Sequence, residues 1–171
     1  LFVVAGSQNQ TEQQKKSDEI LAKFRKLEIY NQLLPVLMTQ DQVRALLPVL
    51  EKHRSDAEKL ENAEYKWLQG MDKTYSDALG AAESKGALPD SKMMDQTVAA
   101  SDDFVKRRKT LVALTVAELM KTMKEKLNDG QVRAAANAFD PRGLSLTKPA
   151  DQLTEDEKLD AWIRVVLLDN H

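Results

Sequence analysis

Few side chains in this sequence could carry out catalytic or metal-binding chemistry. The 171 residues include no cysteine and two histidines, His53 and His171, so thiolate ligands and cysteine nucleophiles are absent and histidines are too few for a histidine-rich zinc site. His53 falls on an apolar helix seam, where a partly buried structural role is expected rather than metal binding beside a neighbouring glutamate. Carboxylate pairs such as Asp102 and Asp103 suit a helix terminus or a solvated face better than acid–base catalysis. We therefore expect no catalytic residues, no metal site and no cofactor.

The charge of the chain is nearly balanced. Its 25 Lys and Arg residues against 27 Asp and Glu residues give a formal net charge of −2, which lacks the strongly basic character of duplex-binding proteins. There is one basic run, Lys106, Arg107, Arg108 and Lys109, and no aromatic residues alternate with it to stack on bases. The run could be a solvated helix face, or it could attract acidic segments of a bound protein. The sequence predicts no nucleic-acid partner.

The first six residues, Leu1–Gly6, are apolar, and the run Ser7–Gln10 that follows is polar. Six residues are far too few to span a bilayer, which needs about 20. They are typical of the end of an export signal, with small residues near a cleavage point, although a buried N-terminal strand is the alternative. We expect residues 1–16 to be an export-signal remnant or a disordered N-terminus. The expected location is periplasmic or otherwise exported, without stable membrane insertion.

Apolar residues recur at helical spacing through most of the remaining chain. Gly and Pro are scarce, at 6 and 5 residues, and the main cluster of helix breakers lies between Gly80 and Asp90, which predicts a turn between two long helices. The predicted fold is all-α: a long antiparallel helical hairpin with a shorter N-terminal helix, a short fourth helix and an extra C-terminal helix. The predicted helices are Ser17–Leu34, Thr39 to the turn, Asp90–Lys126, Asn128–Phe139 and Thr154–Leu168, with a loop over Asp140–Gln152.

Each long helix carries an apolar stripe, with a period near 3.5, that is expected to form the seam of the hairpin. In the second helix the stripe is Val43, Leu46, Leu47, Leu50, Ala57, Leu60, Trp67, Leu68, Met71, Tyr75, Ala78 and Ala82. In the third it is Met94, Val98, Phe104, Val105, Leu111, Val112, Val116, Leu119, Met123 and Leu127. The last helix is marginal alone, so its apolar face must pack on its own chain or on a second copy of it. We expect it to pack on its own chain through Leu159, Trp162, Ile163, Val166 and Leu167.

Two short motifs repeat almost the same pattern in distant parts of the chain. In each, an apolar residue precedes a Thr or Asn that can cap a helix, and a Gln three residues later can reach back to the backbone N–H of the cap. One such capping box indicates only a helix start, but two that bracket a hairpin with similar arms are expected to lie near one another at its open end. The motif residues are Met38, Thr39 and Gln42 in the first and Leu127, Asn128 and Gln131 in the second.

This order of elements resembles the Spy/CpxP family of periplasmic proteins, which is marked by two Leu-Thr-x-x-Gln motifs around a helical hairpin. The resemblance covers residues 17–139, with Met38 in place of Leu and Asn128 in place of Thr. It implies a thin, curved helical cradle that acts as an ATP-independent chaperone or a related stress sensor. Residues 140–171, a loop and an amphipathic helix of the same domain, are an addition that the family pattern does not explain.

The resemblance also implies that unfolded or aggregation-prone clients bind to an open apolar and basic helical surface. A thin hairpin leaves apolar residues exposed, and methionines provide the adaptable contacts of promiscuous surfaces. The alternatives are a structural or regulatory module that docks one specific partner protein and a metal-responsive sensor domain. Whether the protein forms a homodimer stays open. The residues expected on the client or partner surface are Met71, Met93, Met94, Lys106, Arg107, Arg108, Lys109, Met120 and Met123.

Overall fold

The structure, a computed structural model, describes residues 12–138 and 148–168. Within these ranges all regular elements are helical, which confirms the all-α prediction. Residues 1–16 are predicted to be an export-signal remnant or a disordered N-terminus; residues 1–11 lie outside the described residues, whereas residues 12–16 belong to the first helix. Most of the predicted loop over Asp140–Gln152 also lies outside the described residues. The helices are α1 (Glu12–Leu33), α2 (Gln40–Lys85), α3 (Ser91–Lys126), α4 (Asp129–Asn137) and α5 (Glu155–Trp162), with 3₁₀ turns at Leu34–Val36 and Ala150–Gln152 and a π-helical turn at Ile163–Leu167.

Helices α2 and α3 pack against each other as the predicted hairpin. Helix α2 ends because Gly86 adopts the left-handed conformation, with φ 62°, and its N–H donates to the carbonyl of Ala82 at 3.0 Å. A positive φ of this kind is the usual reason for a glycine just beyond a helix. Asp90 then caps α3 by accepting a hydrogen bond from the backbone N–H of Lys92. The turn therefore lies inside the predicted Gly80–Asp90 segment.

Contacts across the hairpin fix which residues of α2 and α3 lie at the same level. The Trp67 and Phe104 rings meet edge to face with their centroids 6.5 Å apart. Nearer the turn, the Tyr75 hydroxyl lies 2.8 Å from Thr97 Oγ1. These two pairs define an antiparallel register that extends along both helices.

The predicted seam of α2 is only partly correct. Leu46 is buried, and Leu60, Trp67 and Met71 are half-buried, as expected for residues that face α3. Leu50 and Ala57 are half-buried as well. Val43, Leu47 and Leu68 are exposed instead, and Val49, absent from the predicted stripe, is buried. Each helix of a two-helix hairpin has only one neighbour along most of its length, so a stripe wider than the contact line leaves its outer members in solvent.

The described chain divides into two compact units. One unit contains α1, α4 and α5, and α4 packs against α5 and against the 3₁₀ turn at Leu34–Val36. Its buried side chains include Val36, Ala135, Leu159 and Trp162, which are at most 1% exposed. The other unit contains the hairpin and the π-helical turn, which packs on α3. The expectation that the last apolar face packs on its own chain is confirmed by this burial.

The last helix differs from its prediction in geometry. Its α-helical part ends at Trp162, and the following turn is π-helical, with the N–H of Leu168 donating to the carbonyl of Ile163 at 3.1 Å. Three β-branched residues, Ile163, Val165 and Val166, occupy this turn, and such side chains lose rotamer freedom in an α-helix. Ile163 and Val166 remain buried across the change, so the predicted apolar face persists in a different backbone geometry.

Candidate functional site

Both predicted capping boxes are present. Thr39 precedes α2, and its backbone N–H donates to Gln42 Oε1 at 2.9 Å while the N–H of Gln42 donates back to Thr39 Oγ1 at 3.3 Å. Asn128 and Gln131 make the same reciprocal pair at the start of α4, at 3.1 and 2.9 Å. Each box satisfies two backbone donors that a helix N-terminus leaves without an intrahelical partner.

The amide nitrogens of the two glutamines make a second, long-range contact that the sequence does not reveal. In the hairpin unit, Gln42 Nε2 donates to the carbonyl of Lys126 at 2.8 Å, which ties the start of α2 to the end of α3. In the other unit, Gln131 Nε2 donates to the carbonyl of Leu37 at 2.9 Å, beside the 3₁₀ turn. Each acceptor precedes the cap of the other motif by two residues in the sequence. The motifs therefore clamp distant chain segments as well as start helices.

The apolar residue before each cap also has a structural place. Met38 is half-buried, and Leu127, which follows the last residue of α3, is buried. The backbone N–H of Leu127 donates to the carbonyl of Met123 at 2.8 Å. All six motif residues thus act in local structure and chain connection.

The methionines predicted to line a client surface fall into two groups. Met93 and Met123 are buried, at 8% and 0% exposure, so the prediction is wrong for these two because they pack inside the folded chain. Met71 and Met120 are half-buried, and Met94 is 47% exposed. Met94 is therefore the methionine of the predicted set that is most available to a binding partner.

The four residues of the basic run on α3 also fall into two groups, two arginines with partners in the chain and two lysines without an ion pair among the described residues. The Arg107 guanidinium pairs with Asp103 at 2.7 Å and lies over the Phe104 ring, while Arg108 makes an ion pair with Glu64 across the hairpin. Lys106 and Lys109 are exposed and make no ion pair with any residue in the described ranges. Only the two lysines of the run thus present charge that a partner could use without breaking an existing pair.

Five exposed apolar side chains lie together in the half of the hairpin nearest the turn. Leu68 directly follows Trp67, and Val105 directly follows Phe104. Because Trp67 and Phe104 face each other on antiparallel helices, one residue further along each helix turns the side chain by about 100° towards the same side of the hairpin. Leu68 and Val105 therefore lie on one side. By the same register, Leu79 lies at the level of Met94. We call these residues and Val98 the distal patch; their exposed fractions run from 38% for Val105 to 60% for Leu79.

The same side of the hairpin is covered nearer its open end. Leu50 and Ala57 belong to the stripe of α2 that continues to Leu68, and they line a depression together with Leu167 and Leu168. The apolar stripe of α3 also changes from exposed to buried towards the open end: Val98 and Val105, near the turn, are exposed, whereas Val116 is 1% exposed. The C-terminal segment therefore covers one end of a long apolar side and leaves the distal patch open.

Sequence reasoning placed Val98 and Val105 in the seam and did not single out Leu79. The signal was present in α3, where the predicted stripe contains two series offset by one residue. Phe104, Leu111 and Leu119 face α2, and Met94, Val98, Val105, Val112, Val116 and Met123 repeat on an adjacent face. A stripe this wide predicts two packing surfaces, and only one of them can face the other arm of a hairpin.

His53 has the structural role that the sequence indicates. Its Nδ1 lies 2.9 Å from Thr115 Oγ1, and that hydroxyl lies 2.9 Å from the carbonyl of Leu111. A hydroxyl that donates to Leu111 accepts from His53, so the ring carries its proton on Nδ1. Partial burial lowers the pKa of His53 below 6.5, against an opposing effect of the Asp56 carboxylate.

Two further properties bear on function. Within residues 12–138 and 148–168, no three His, Asp or Glu side chains are grouped closely enough to hold a metal ion. None of the described helices combines the length and the apolar composition needed to cross a membrane. Comparison with known protein families, with curated proteins and with solved structures finds no match for this chain.

Proposed function

We propose that this protein is an ATP-independent, chaperone-like protein that holds unfolded or aggregation-prone client chains on its distal patch. The observation that carries the proposal is the cluster of five exposed apolar side chains on one side of a regular helical hairpin. Large exposed apolar surfaces that are rimmed by polar residues mark interaction sites. The resemblance of the two capping motifs to those of the Spy/CpxP family supports the same function, and with it an exported location.

The composition of the distal patch favours varied apolar segments over one exact partner. The flexible Met94 side chain adapts to different shapes, and an open helical face imposes no single bound geometry. Lys109 lies beside the α3 stripe, and Lys106 one turn away; their charges would attract acidic stretches of a client without requiring a defined sequence. Burial of apolar client residues would supply the binding free energy, at roughly 25 cal/mol per Å².

The first test is suppression of aggregation of several chemically unrelated, unfolded proteins, without nucleotide. The full chain is expected to protect all of them. Docking of one dedicated partner, the rival function, predicts protection of none. This comparison separates the two hypotheses before any variant is made.

Variants then locate the surface. Val98→Asp and Leu79→Asp change exposed positions, so the fold should survive, and both should lose protection of every client because a charge opposes apolar contact. Leu114→Asp is the matched control, since Leu114 is 67% exposed on α3 but lies on the side away from the stripe. Equal loss in all three variants, or unchanged protection by Val98→Asp, would contradict the assignment to the distal patch.

A further inference from the structure

Helix α1 has two sides with different environments. Ile29, Gln32 and Leu33, near its C-terminal end, are half-buried and face the rest of their unit. The opposite side carries large apolar residues in solvent, and no residue of α1 is buried. A 22-residue helix is marginal in water unless one face packs. Among the described residues, nothing packs on the exposed side to stabilise the helix.

The exposed side follows a heptad pattern. Ser17, Phe24 and Asn31 occupy the first core position of successive heptads, which is position a. Ile20 and Leu27 occupy the second, position d, and are 58% and 67% exposed. The next position d is Leu34, which is 67% exposed and lies in the 3₁₀ turn directly after α1. Apolar residues that alternate at three- and four-residue steps form the seam of a coiled coil. We propose that α1 pairs with α1 of a second copy of this chain as a short, parallel, in-register coiled coil.

The charges beside the seam favour a second copy over an unrelated helix. Lys23 precedes the core residue Phe24, at position g, and Glu28 follows the core residue Leu27, at position e. In a parallel coiled coil, position g of one helix faces position e of the next heptad in the other. Lys23 therefore faces Glu28 of the second copy, and twofold symmetry makes this pair twice. Neither residue has an ion pair within the described part of its own chain.

The orientation follows from the same positions. An antiparallel pair would set position g against g and e against e, so Lys23 would not meet Glu28. Asn31 at a core position also favours a parallel dimer, because its amide then lies opposite the identical amide and the two can hydrogen-bond. Leu21 and Tyr30, both exposed beside the seam, extend the apolar contact on either side. The Lys23–Glu28 pair and Asn31 select the in-register parallel arrangement.

Sedimentation of the full chain over a range of concentrations tests the pairing. The protein is expected to be a dimer that dissociates on dilution, because the paired segment is short. Leu27→Asp should raise the dissociation constant by more than about a hundredfold, from the loss of two buried leucines. Ala22→Asp is the matched control on the outer side of the same helix and should leave it unchanged. A protein that stays monomeric at about 100 μM, well above ordinary micromolar affinities, overturns the proposal and assigns the α1 stripe to another protein.

Two measurements test the parallel register. Lys23→Glu alone should weaken the dimer roughly tenfold by replacing two attractive pairs with repulsive ones, and the double variant Lys23→Glu with Glu28→Lys should restore it. The two positions are five residues apart, so they do not pair within one helix, and a rescue reports contact between copies. The chain contains no cysteine, so Asn31→Cys can be oxidised selectively. It should cross-link in the dimer, whereas Ala22→Cys should not. A dimer that shows no rescue, or no Asn31→Cys cross-link, overturns the parallel arrangement.

Discussion

The side chain of Gln42 joins the two arms of the hairpin at its open end, because its amide nitrogen donates to the carbonyl of Lys126 at 2.8 Å. The last carbonyls of a helix have no intrahelical partner, so Gln42 satisfies a group that α3 leaves free. The same side chain accepts from the backbone N–H of Thr39. One glutamine thus completes the start of one helix and the end of another.

These two roles of Gln42 can be separated by substitution. Gln42→Glu keeps the capping box, since Glu is equally suited to this position, but removes the donor to Lys126. We expect its free energy of unfolding to fall by about 1 kcal/mol, and that of Gln42→Ala by about 2 kcal/mol because the box is lost as well. Urea unfolding followed by circular dichroism measures both.

The control for this comparison is Gln40→Ala, at an exposed position two residues before Gln42, which should change stability by less than about 0.5 kcal/mol. If Gln42→Glu is as stable as the wild type, the contact with Lys126 contributes nothing. The role of the motif would then be confined to the helix start.

How far the sequence predicts this fold depends on the kind of signal. The turn and the helix starts are encoded locally, by Gly86 in a left-handed conformation and by Thr39 and Asn128 as caps. Such signals act over three or four residues, so they are legible without knowledge of the tertiary structure. The positions of α2, α3 and α4 therefore agree with prediction to within a few residues.

The burial of individual side chains is harder to predict from the sequence, because it depends on tertiary contacts with residues far away in the chain. Leu68 and Leu46 are equally apolar and occupy the same predicted stripe, yet Leu68 is 46% exposed and Leu46 is 3% exposed. Likewise Met94 and Met93 are adjacent, and only Met93 faces inward. Periodicity identifies an apolar face but leaves its exact centre uncertain by one residue, which is about 100° of rotation.

The contact of His53 with Thr115 predicts a dependence of stability on pH. The folded-state pKa of His53 is lowered by burial below 6.5, so the unfolded chain takes up this proton more readily than the folded one. Stability should therefore rise with pH through the region just below 6.5 and fall as the solution is acidified through it. Unfolding in urea between pH 5 and pH 8 measures the effect.

The matched variant is His53→Gln, which retains a polar side chain but does not titrate. The difference in stability between the wild type and His53→Gln should vary with pH in this window, and contributions from His171 cancel because both proteins contain it. A difference that is constant from pH 5 to pH 8 would show that burial does not perturb His53.

Glu157 should respond to acid at much lower pH. Lys148, at 2.6 Å, and the backbone and side chain of Thr154, at 2.8 and 2.9 Å, lower the pKa of Glu157 from 4.5 to about 2. A carboxyl with a lowered pKa stabilises the folded state above its ordinary pKa, and that contribution disappears as the pH falls from about 4.5 towards 2.

We expect the start of α5 to loosen in this acid range in the wild type. Glu157→Gln should already lack the contribution at neutral pH and show no further loss from this position on acidification. Glu155→Gln, in the same first turn, is the control and should keep the transition. Amide hydrogen exchange in α5 between pH 2 and pH 5 follows the change, and a Glu157 that titrates near 4.5 by NMR would refute the prediction.

Two glycines, one inside α2 and one directly after it, should change stability in opposite directions when replaced by alanine. Gly70 lies inside the helix, and a Cβ atom added there would have no neighbouring atom within 4 Å; Gly70→Ala should therefore stabilise the protein by roughly 0.5–1 kcal/mol, because alanine loses less backbone entropy on folding. Gly86 also has open space around it, but its φ of 62° is strained for any residue with a Cβ. Gly86→Ala should cost about 1 kcal/mol for this reason alone. Equilibrium unfolding measures the change in stability of each variant. Because neither site is crowded, the difference between the two variants reports backbone conformation rather than side-chain packing. Stabilisation by Gly86→Ala would mean that the hairpin turn does not require the left-handed conformation.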